Sequence, residues 1–385
     1  MKMLLTDEQL MIRQVVRSLA EKEFKPRAAE IDHTEKFPHE NVKLLAEQGL
    51  IGVDIPVEYG GGGADSLSHL IVIEEVARVC ASTSVVLTTT GLAVGPLLAA
   101  GTEEQKQKFL TPIASGACLG AFAITEPSAG SDNSAMRTTA VRDGDSFVIN
   151  GSKIFITNAG EAGLMSVIAK TNKEAGYKGI SVFMVEQGTP GLTIGKKEDK
   201  LGMRGSETRE VVLEDCRVPA ENMIGEENKG FYVLMESFNH SRPGVGAQAL
   251  GIAQGAFEAA LQYAKERVQF GQPIVNFQAI QMMLADMAIQ IEAARQLVYH
   301  SAVLLDRDGK KASSETIQAA AMGKVFASDT AMKVTVDAVQ VFGGYGYVRE
   351  YPVERMMRDA KITQIWEGTN QILRTIIAKE LAGRQ

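Results

Sequence analysis

Phe147-Val-Ile-Asn-Gly-Ser-Lys-Ile-Phe-Ile-Thr157 lies near the middle of the chain. It is rich in β-branched and aromatic residues, as a half-buried strand would be. Asn150-Gly151 interrupts the run, and Asn-Gly is a strong short-range hairpin signal. The stretch therefore reads as two strands about that turn. Leu164 to Thr171, Ile180 to Glu186 and Glu210 to Leu213 are further strand candidates, with Gly and Pro between them. No crossover helix of useful length fits between these runs. A small antiparallel sheet is thus expected over residues 121–230, in place of a parallel dinucleotide-binding unit.

Outward from this sheet the period changes to that of helices. In residues 1–120, Thr6 with Gln9 and Thr102 with Gln105 form capping boxes. Leu70 to Ala81 is apolar around the acids Glu74 and Glu75. Gly60-Gly61-Gly62-Gly63 reads as a breaker and a flexible loop, and no Walker lysine follows it. In residues 231–385, Phe277, Ile280, Leu284, Met287, Ile291, Ala294 and Val298 recur every three or four residues. That seam predicts a long helix in a bundle. Gly309 closes it, and Ser313 or Ser314 opens the next helix, which runs toward Gly343. Ala319, Ala320, Ala321 and Gly323 allow neighbours to approach closely. Gly343-Gly-Tyr-Gly-Tyr347 reads as a turn at that helix end, or as backbone close to a bulky ligand. Asn239-His-Ser-Arg-Pro243 reads as the first turn of a helix, with proline at its first position.

Composition excludes several functions. The 385 residues are 45% hydrophobic and 23% charged, enough for a large core in two or three domains. With a net charge of -7 and no basic block, nucleic-acid binding is not expected. Cys80, Cys118 and Cys216 lie far apart, as in a reduced cytoplasmic protein. Met1-Lys-Met-Leu-Leu5 leads straight into a helix start, so no signal or transit peptide is expected. No long uncharged apolar run is expected to span a membrane. The histidines at 33, 39, 69, 240 and 300 make no metal-binding spacing. There is no G-x-S-x-G elbow and no G-x-G-x-x-G after a strand.

One carboxylate stands apart. In Gln364-Ile-Trp-Glu-Gly-Thr-Asn-Gln371, Glu367 sits between apolar neighbours at the entry to a helical pattern, Ile372, Leu373, Ile376 and Ile377. Thr369 or Asn370 can cap that helix. Burial would raise the pKa of Glu367 and the helix N-terminus would lower it, a setting that suits a general base. The alternative is a glutamate that serves only the helix dipole.

Four segments, in order and over nearly the whole chain, resemble the acyl-CoA dehydrogenases of the short- and medium-chain, butyryl-CoA dehydrogenase-like branch. They are Ala123-Ile-Thr-Glu-Pro-Ser-Ala-Gly-Ser-Asp132, Glu266-Arg-Val-Gln-Phe-Gly271, Gln340-Val-Phe-Gly-Gly344 and Arg358-Asp-Ala-Lys-Ile-Thr-Gln-Ile-Trp-Glu-Gly-Thr-Asn-Gln371. The resemblance implies a mostly α fold with a central β domain. A helical N-terminal domain (1–120), an antiparallel β middle domain (121–230) and a C-terminal four-helix bundle (231–385) would follow one another. It also implies bound FAD, a homotetramer, an acyl-CoA substrate and an electron-transfer flavoprotein as partner. The implied reaction is α,β-dehydrogenation to a trans-2-enoyl-CoA. The alternatives are an acyl-CoA oxidase or a non-catalytic acyl-CoA-binding scaffold.

By the same resemblance Glu367 is the catalytic base and its N–H meets the thioester oxygen. Phe122, Ile124, Thr125, Ser131, Phe155 and Thr157 would hold the flavin. Phenylalanine at 155 replaces the tryptophan of several members. Arg267, Phe270, Gln340 and Gly344 would reach the FAD of a neighbouring subunit, and Thr369 and Gln371 would approach FAD as well. Ser131, Asn239, Arg242, Thr88, Trp366 and Gly368 would meet the substrate, with Arg242 on the CoA nucleotide. Trp366 stands where a tyrosine is common. Val85, Thr88, Thr89 and Thr90 suggest a partly polar pocket end. Ala247 would stand where the long-chain and isovaleryl branches place their base.

Overall fold

The computed structural model describes residues 5–383. Met1 to Leu4, on which most of the leader reading falls, lie outside the described residues. Six helices come first: α1 (Asp7–Leu19), α2 (Lys25–Thr34), α3 (His39–Glu47), α4 (Ser66–Ala77), α5 (Ala81–Ala100) and α6 (Glu103–Ala114). Both expected capping boxes are present, at Thr6 and Thr102. The strands follow as β1 (Gly120–Ala123), β2 (Thr139–Asp143), β3 (Ser146–Thr157), β4 (Leu164–Lys170), β5 (Ile180–Glu186), β6 (Leu192–Lys197), β7 (Thr208–Pro219) and β8 (Met223–Ile224). Then come α7 (Gly230–Glu266), a short ribbon of β9 (Val268–Gln269) and β10 (Gln272–Pro273), α8 (Gln278–Asp308), α9 (Ser314–Phe342), α10 (Val353–Ile362) and α11 (Asn370–Ala382).

The sheet runs in the order β6-β7-β3-β2-β4-β5-β8. Its ladders are antiparallel except on one edge of β4. There β1 pairs in parallel over its whole length, and β2 joins through Thr139 and Lys170. The Asn150-Gly151 hairpin does not form. Residues 146–157 are one strand, and the turn lies earlier, at Gly144 (φ 63°) between β2 and β3. Gly151 marks a register shift against β7 instead. A side chain there would come within 2.4 Å of Thr138 Oγ1, so glycine serves a close approach and not a turn.

Three further expectations change. Pro243 does not open a helix; it lies inside the 37-residue α7. Proline has no N–H for the carbonyl of Asn239 one turn back. The helix continues because α4, α5 and α9 pack along it. The Gly60–Gly63 loop is not loose: Gly62 N–H bonds Gly52 O at 2.9 Å and Gly63 N–H bonds Ile55 O at 2.9 Å. An uncharged apolar run does exist. α5 is 20 residues long and apolar enough to cross a membrane by length and composition, with 67% of its most apolar window buried in protein. It packs against α4, α6, α7 and β1 as a core helix.

The N-terminal helices and the bundle are joined by α4. Its consecutive carboxylates, Glu74 and Glu75, are both buried. Arg295 of α8 donates to Glu74 Oε1 at 3.0 Å, and the Tyr299 hydroxyl donates to Glu74 Oε2 at 2.6 Å. Arg17 of α1 grips Glu75 with two bonds of 2.9 and 2.8 Å. Arg78 adds a 3.2 Å contact to Glu75 and a 2.7 Å bond to Glu258 of α7. Glycines let α7 lie close by: a Cβ on Gly251 would sit 2.3 Å from Glu74 O, and one on Gly255 2.0 Å from Arg78 O.

Removing one partner of a buried ion pair leaves the other charge uncompensated. Glu74→Ala should therefore destabilise the protein by about 3–5 kcal/mol. Glu21→Ala also weakens Arg78, but its pair with Lys25 is exposed and should contribute under about 1 kcal/mol. Urea unfolding of both variants at one protein concentration checks the ranking.

Candidate functional site

Glu367 stands in the turn between α10 and α11. Its backbone is left-handed (φ 51°), as is that of Gly368 (φ 95°). A non-glycine residue held there carries strain of about 1–3 kcal/mol, and the surroundings must impose it. Thr369 begins the imposition as N-cap of α11, its hydroxyl accepting from Ile372 N–H at 3.3 Å. Asn370 N–H bonds Gln364 O at 3.0 Å, which closes the turn on itself. The turn thus lifts the Glu367 carboxyl toward α7.

On α7 the carboxyl meets Ser241, whose hydroxyl donates to Glu367 Oε2 at 2.6 Å. Arg242 is the next residue, buried, with Nη1 donating to Asn239 Oδ1 at 3.2 Å and the guanidinium 5.7 Å from the Phe238 ring. From α9 comes the fully buried Lys324, which donates to Gly368 O at 2.9 Å. Burial raises the pKa of Glu367; the Ser241 hydrogen bond, Arg242 and Lys324 oppose the rise. Burial likewise brings Arg242 down to about 10 and Lys324 down to about 8, with Glu367 resisting both shifts. One carboxylate with a raised pKa thus faces two buried cations. That arrangement can accept a proton from carbon without becoming a freely hydrated acid.

The sheet reaches the same place. Phe122 at the end of β1 meets Phe238 edge-on, with centroids 5.8 Å apart. Beyond it, Thr125 O accepts from Ile154 N–H at 2.9 Å, and the buried Lys153 donates to Ile124 O and Glu126 Oε1 at 3.1 and 2.8 Å. These bonds fix Ile124 and Thr125 beside β3. There Phe155 sits in a bulge with φ 60° and 60% of its surface exposed. Thr157 pairs with Thr208 two residues on, and Ser131 lies exposed on the loop before β2.

The structure therefore brings Glu367, with Trp366 and Gly368 beside it in the turn, to the stretch of α7 that carries Asn239 and Arg242. Phe238 of the same stretch meets Phe122, and Ile124, Thr125 and Phe155 follow along the sheet. Thr88 of α5 comes close to α7 at Gly244, with its methyl carbon 3.8 Å from where a glycine Cβ would lie. Its hydroxyl donates to Val85 O at 3.1 Å within its own helix. Arg242 is buried beside the carboxylate, so its place gives no reason to assign it the CoA nucleotide. Ala247 is buried in the helix core, and the α7 residue that reaches Glu367 is Ser241.

Arg267, Phe270, Gln340 and Gly344 form a second cluster. Arg267 caps the end of α7, about 37 Å along the axis from Arg242 at 1.5 Å per residue. Its guanidinium lies 5.3 Å from the Tyr345 ring. Phe270 is 94% exposed at the tip of the β9–β10 ribbon, and Gln340 and Gly344 are exposed at the end of α9. Gln371 is exposed on the first turn of α11.

Sequence reasoning gave no role to Ser241, Lys324 or Phe238, and offered Asn370 only as an alternative cap of α11, a place that Thr369 takes. Lys324 carried a signal. It lies one turn from Ala320 and one turn from Ser328, on a helix face that must be buried if the small-residue stripe packs.

The chain matches the family models described as acyl-CoA dehydrogenase N-terminal domain over residues 6–117, middle domain over 121–216 and C-terminal domain over 228–382. It is 51% identical over 378 residues to a Clostridium acetobutylicum protein named acyl-CoA dehydrogenase, short-chain specific, covering 98% of each chain. The solved structure of butyryl-CoA dehydrogenase from Megasphaera elsdenii is 47% identical with a TM-score of 0.95, over 100% of each chain. A chain from a structure described as the electron transferring flavoprotein of Acidaminococcus fermentans is 51% identical with a TM-score of 0.96, again over 100% of each chain.

Ser241→Ala removes a hydrogen bond that favours the ionised carboxyl. The pKa of Glu367 should then rise further, with the fold unchanged. Trp366, the one tryptophan in the chain, reports this titration through its emission, and its midpoint should move to higher pH.

Proposed function

Since the chain belongs to the acyl-CoA dehydrogenase family, we propose that it converts a short- to medium-chain or related acyl-CoA to the trans-2-enoyl-CoA, with FAD bound and with electrons passed to an electron-transfer flavoprotein. One observation carries the reading. The Glu367 carboxyl is held in a strained turn, half-buried, bonded by Ser241 and faced by Arg242 and Lys324.

The reaction needs a base, an oxyanion donor and a hydride acceptor. Glu367 removes the α-proton of the thioester, and its raised pKa brings it toward neutrality, where a base is most effective. Charge then develops on the thioester oxygen. Among the described residues the Glu367 N–H has no protein acceptor, so it is free to donate there. Bound FAD would supply the acceptor for the β-hydrogen, which leaves as hydride. Members of this family are flavoproteins, and the residues present suit the group. Phe155 is held out of the sheet by a strained backbone, as a flat ligand would require. Trp366 Nε1 and Arg242 Nε are buried without a protein partner. Phe122, Ile124, Thr125, Ser131, Phe155 and Thr157 would hold the flavin, with Thr369 and Gln371 near it.

Arg267, Phe270, Gln340 and Gly344 lie too far along the bundle for the same pocket. We assign them to the FAD of a neighbouring subunit in a homotetramer, where the Arg267 guanidinium would pair with the diphosphate. Thr88 shapes the acyl pocket by its methyl group, since its hydroxyl is already satisfied. Asn239 orients Arg242, while Trp366 and Gly368 flank the acyl group. A cytoplasmic place of action suits three free cysteines.

Two predictions test this reading. Purified protein should be yellow and should bleach anaerobically with butyryl-CoA. Glu367→Gln should keep its flavin while the bleaching rate falls by roughly 10²–10⁴-fold, the span of general base catalysis. Near-parental bleaching in Glu367→Gln would remove it as the base. Arg267→Ala should lose both flavin and thermal stability, since a ligand that binds only the native assembly stabilises it. Unchanged flavin content and melting temperature would reject the assignment of Arg267.

A further inference from the structure

Lys324 is among the largest fully buried side chains, on a helix whose other buried residues are mostly small or apolar. The nearby cluster of Ala321, Val325 and Leu373 packs α9 on α11 without needing a charge. A methionine would fill a similar space with no ammonium to desolvate. The ammonium's contribution must therefore lie in what it holds.

It holds the turn that carries the base. Nζ donates to Gly368 O at 2.9 Å and to Asn370 Oδ1 at 3.0 Å. Asn370 Nδ2 passes the restraint on, donating to Ser328 Oγ at 2.9 Å and Asp329 Oδ1 at 2.8 Å. Asp329 also accepts from Gln364 Nε2 at 2.6 Å and from Arg374 Nη2 at 2.7 Å. Residues 364–370 are thus pinned at both ends by one stretch of α9. Gly368 is the weak point of that turn, because glycine alone has wide backbone freedom there. Its carbonyl is the atom that Lys324 takes.

We propose that Lys324 is a positioning residue for the base: it fixes the Gly368 carbonyl, holds Glu367 in its left-handed conformation and faces the carboxylate with a buried positive charge. The proposal rests on Glu367 being the base. The groups that face Glu367 are Ser241 and Arg242 from α7 and Lys324 from α9; Lys324 in turn meets the fields of Glu367, Arg242 and Asp329. Loss of the lysine charge removes one of the influences that hold the Glu367 pKa down. The carboxylate then forms only at higher pH.

Two variants of the holoenzyme separate holding from charge. Lys324→Gln keeps a donor without a charge, and Lys324→Met keeps neither. Trp366 precedes Glu367 directly, so its emission follows the carboxyl's titration and its quenching by acrylamide follows the looseness of the turn. Lys324→Gln should quench like the parent. Its emission midpoint and the acidic limb of kcat/KM for butyryl-CoA should move up by about one pH unit, roughly a tenfold loss at a fixed pH on that limb. Lys324→Met should show the same shift, at least about a twofold rise in quenching and a lower kcat that Lys324→Gln partly restores. If Lys324→Met does not fold, the midpoint in Lys324→Gln decides. Parental midpoints and parental quenching would overturn the proposal, even with a lowered melting temperature, which packing alone explains. So would an emission titration that persists in Glu367→Gln. The emission readings need no turnover, so a parent enzyme that fails to bleach would sink the functional reading while these measurements still judge the clamp.

Discussion

Two buried carboxylates on one helix, Glu74 and Glu75, set the frame for the rest of the molecule. Adjacent residues on a helix point about 100° apart, so α4 can grip two neighbours at once. Glu74 takes Arg295 and Tyr299 of α8, and Glu75 takes Arg17 of α1. Arg78, a turn later, reaches Glu258 of α7. Buried charges of this kind add little net stability over apolar packing, but they have few alternative partners. They fix how α7 lies against the first helices. α7 then brings Ser241 and Arg242 to the base and Phe238 to the end of β1.

The site itself is held under strain at two places. Glu367 and Phe155 both have left-handed backbones, one in the turn before α11 and one in the bulge of β3. Each is secured by a buried lysine one or two residues away in the chain or in space. Lys153 ties β3 to the Ile124 and Glu126 loop, and Lys324 ties the Gly368 turn to α9. The two lysines share a chemistry: a buried ammonium whose acceptors are loop carbonyls and one acid or amide side chain. Such a clamp is directional in a way that apolar packing is not.

Local signals were legible in the sequence and long-range ones were not. The capping boxes at Thr6 and Thr102 depend on residues three apart, and both formed. The helix seam from Ile280 to Val298 and the stop at Gly309 follow from spacing alone. The sheet's position was readable, but Asn150-Gly151 misled. Its glycine answers to Thr138 across the strand, a contact that no turn rule contains. Pro243 misled for the same kind of reason, since tertiary packing carries α7 through it. Glu367 could be read because it is flanked by apolar residues at a helix entry. Ser241 and Lys324, which set its charge and posture, are about 126 and 43 residues away in sequence. Their pairing with it exists only once the bundle has closed.

The order in which the chain is made adds a constraint of its own. α5 has no charged residue over its 20 positions, and α7, which covers much of it, begins only at Gly230. At about 5–20 residues per second, on the order of ten seconds separate the synthesis of the two. For that interval the nascent chain carries a segment that resembles a membrane span in length and apolarity. The helical cover at hand is α4 and α6, with smaller contacts from α2 and α3. The early helices therefore do more than furnish one wall of a finished protein. They are the first shelter of an apolar stretch before the bundle exists.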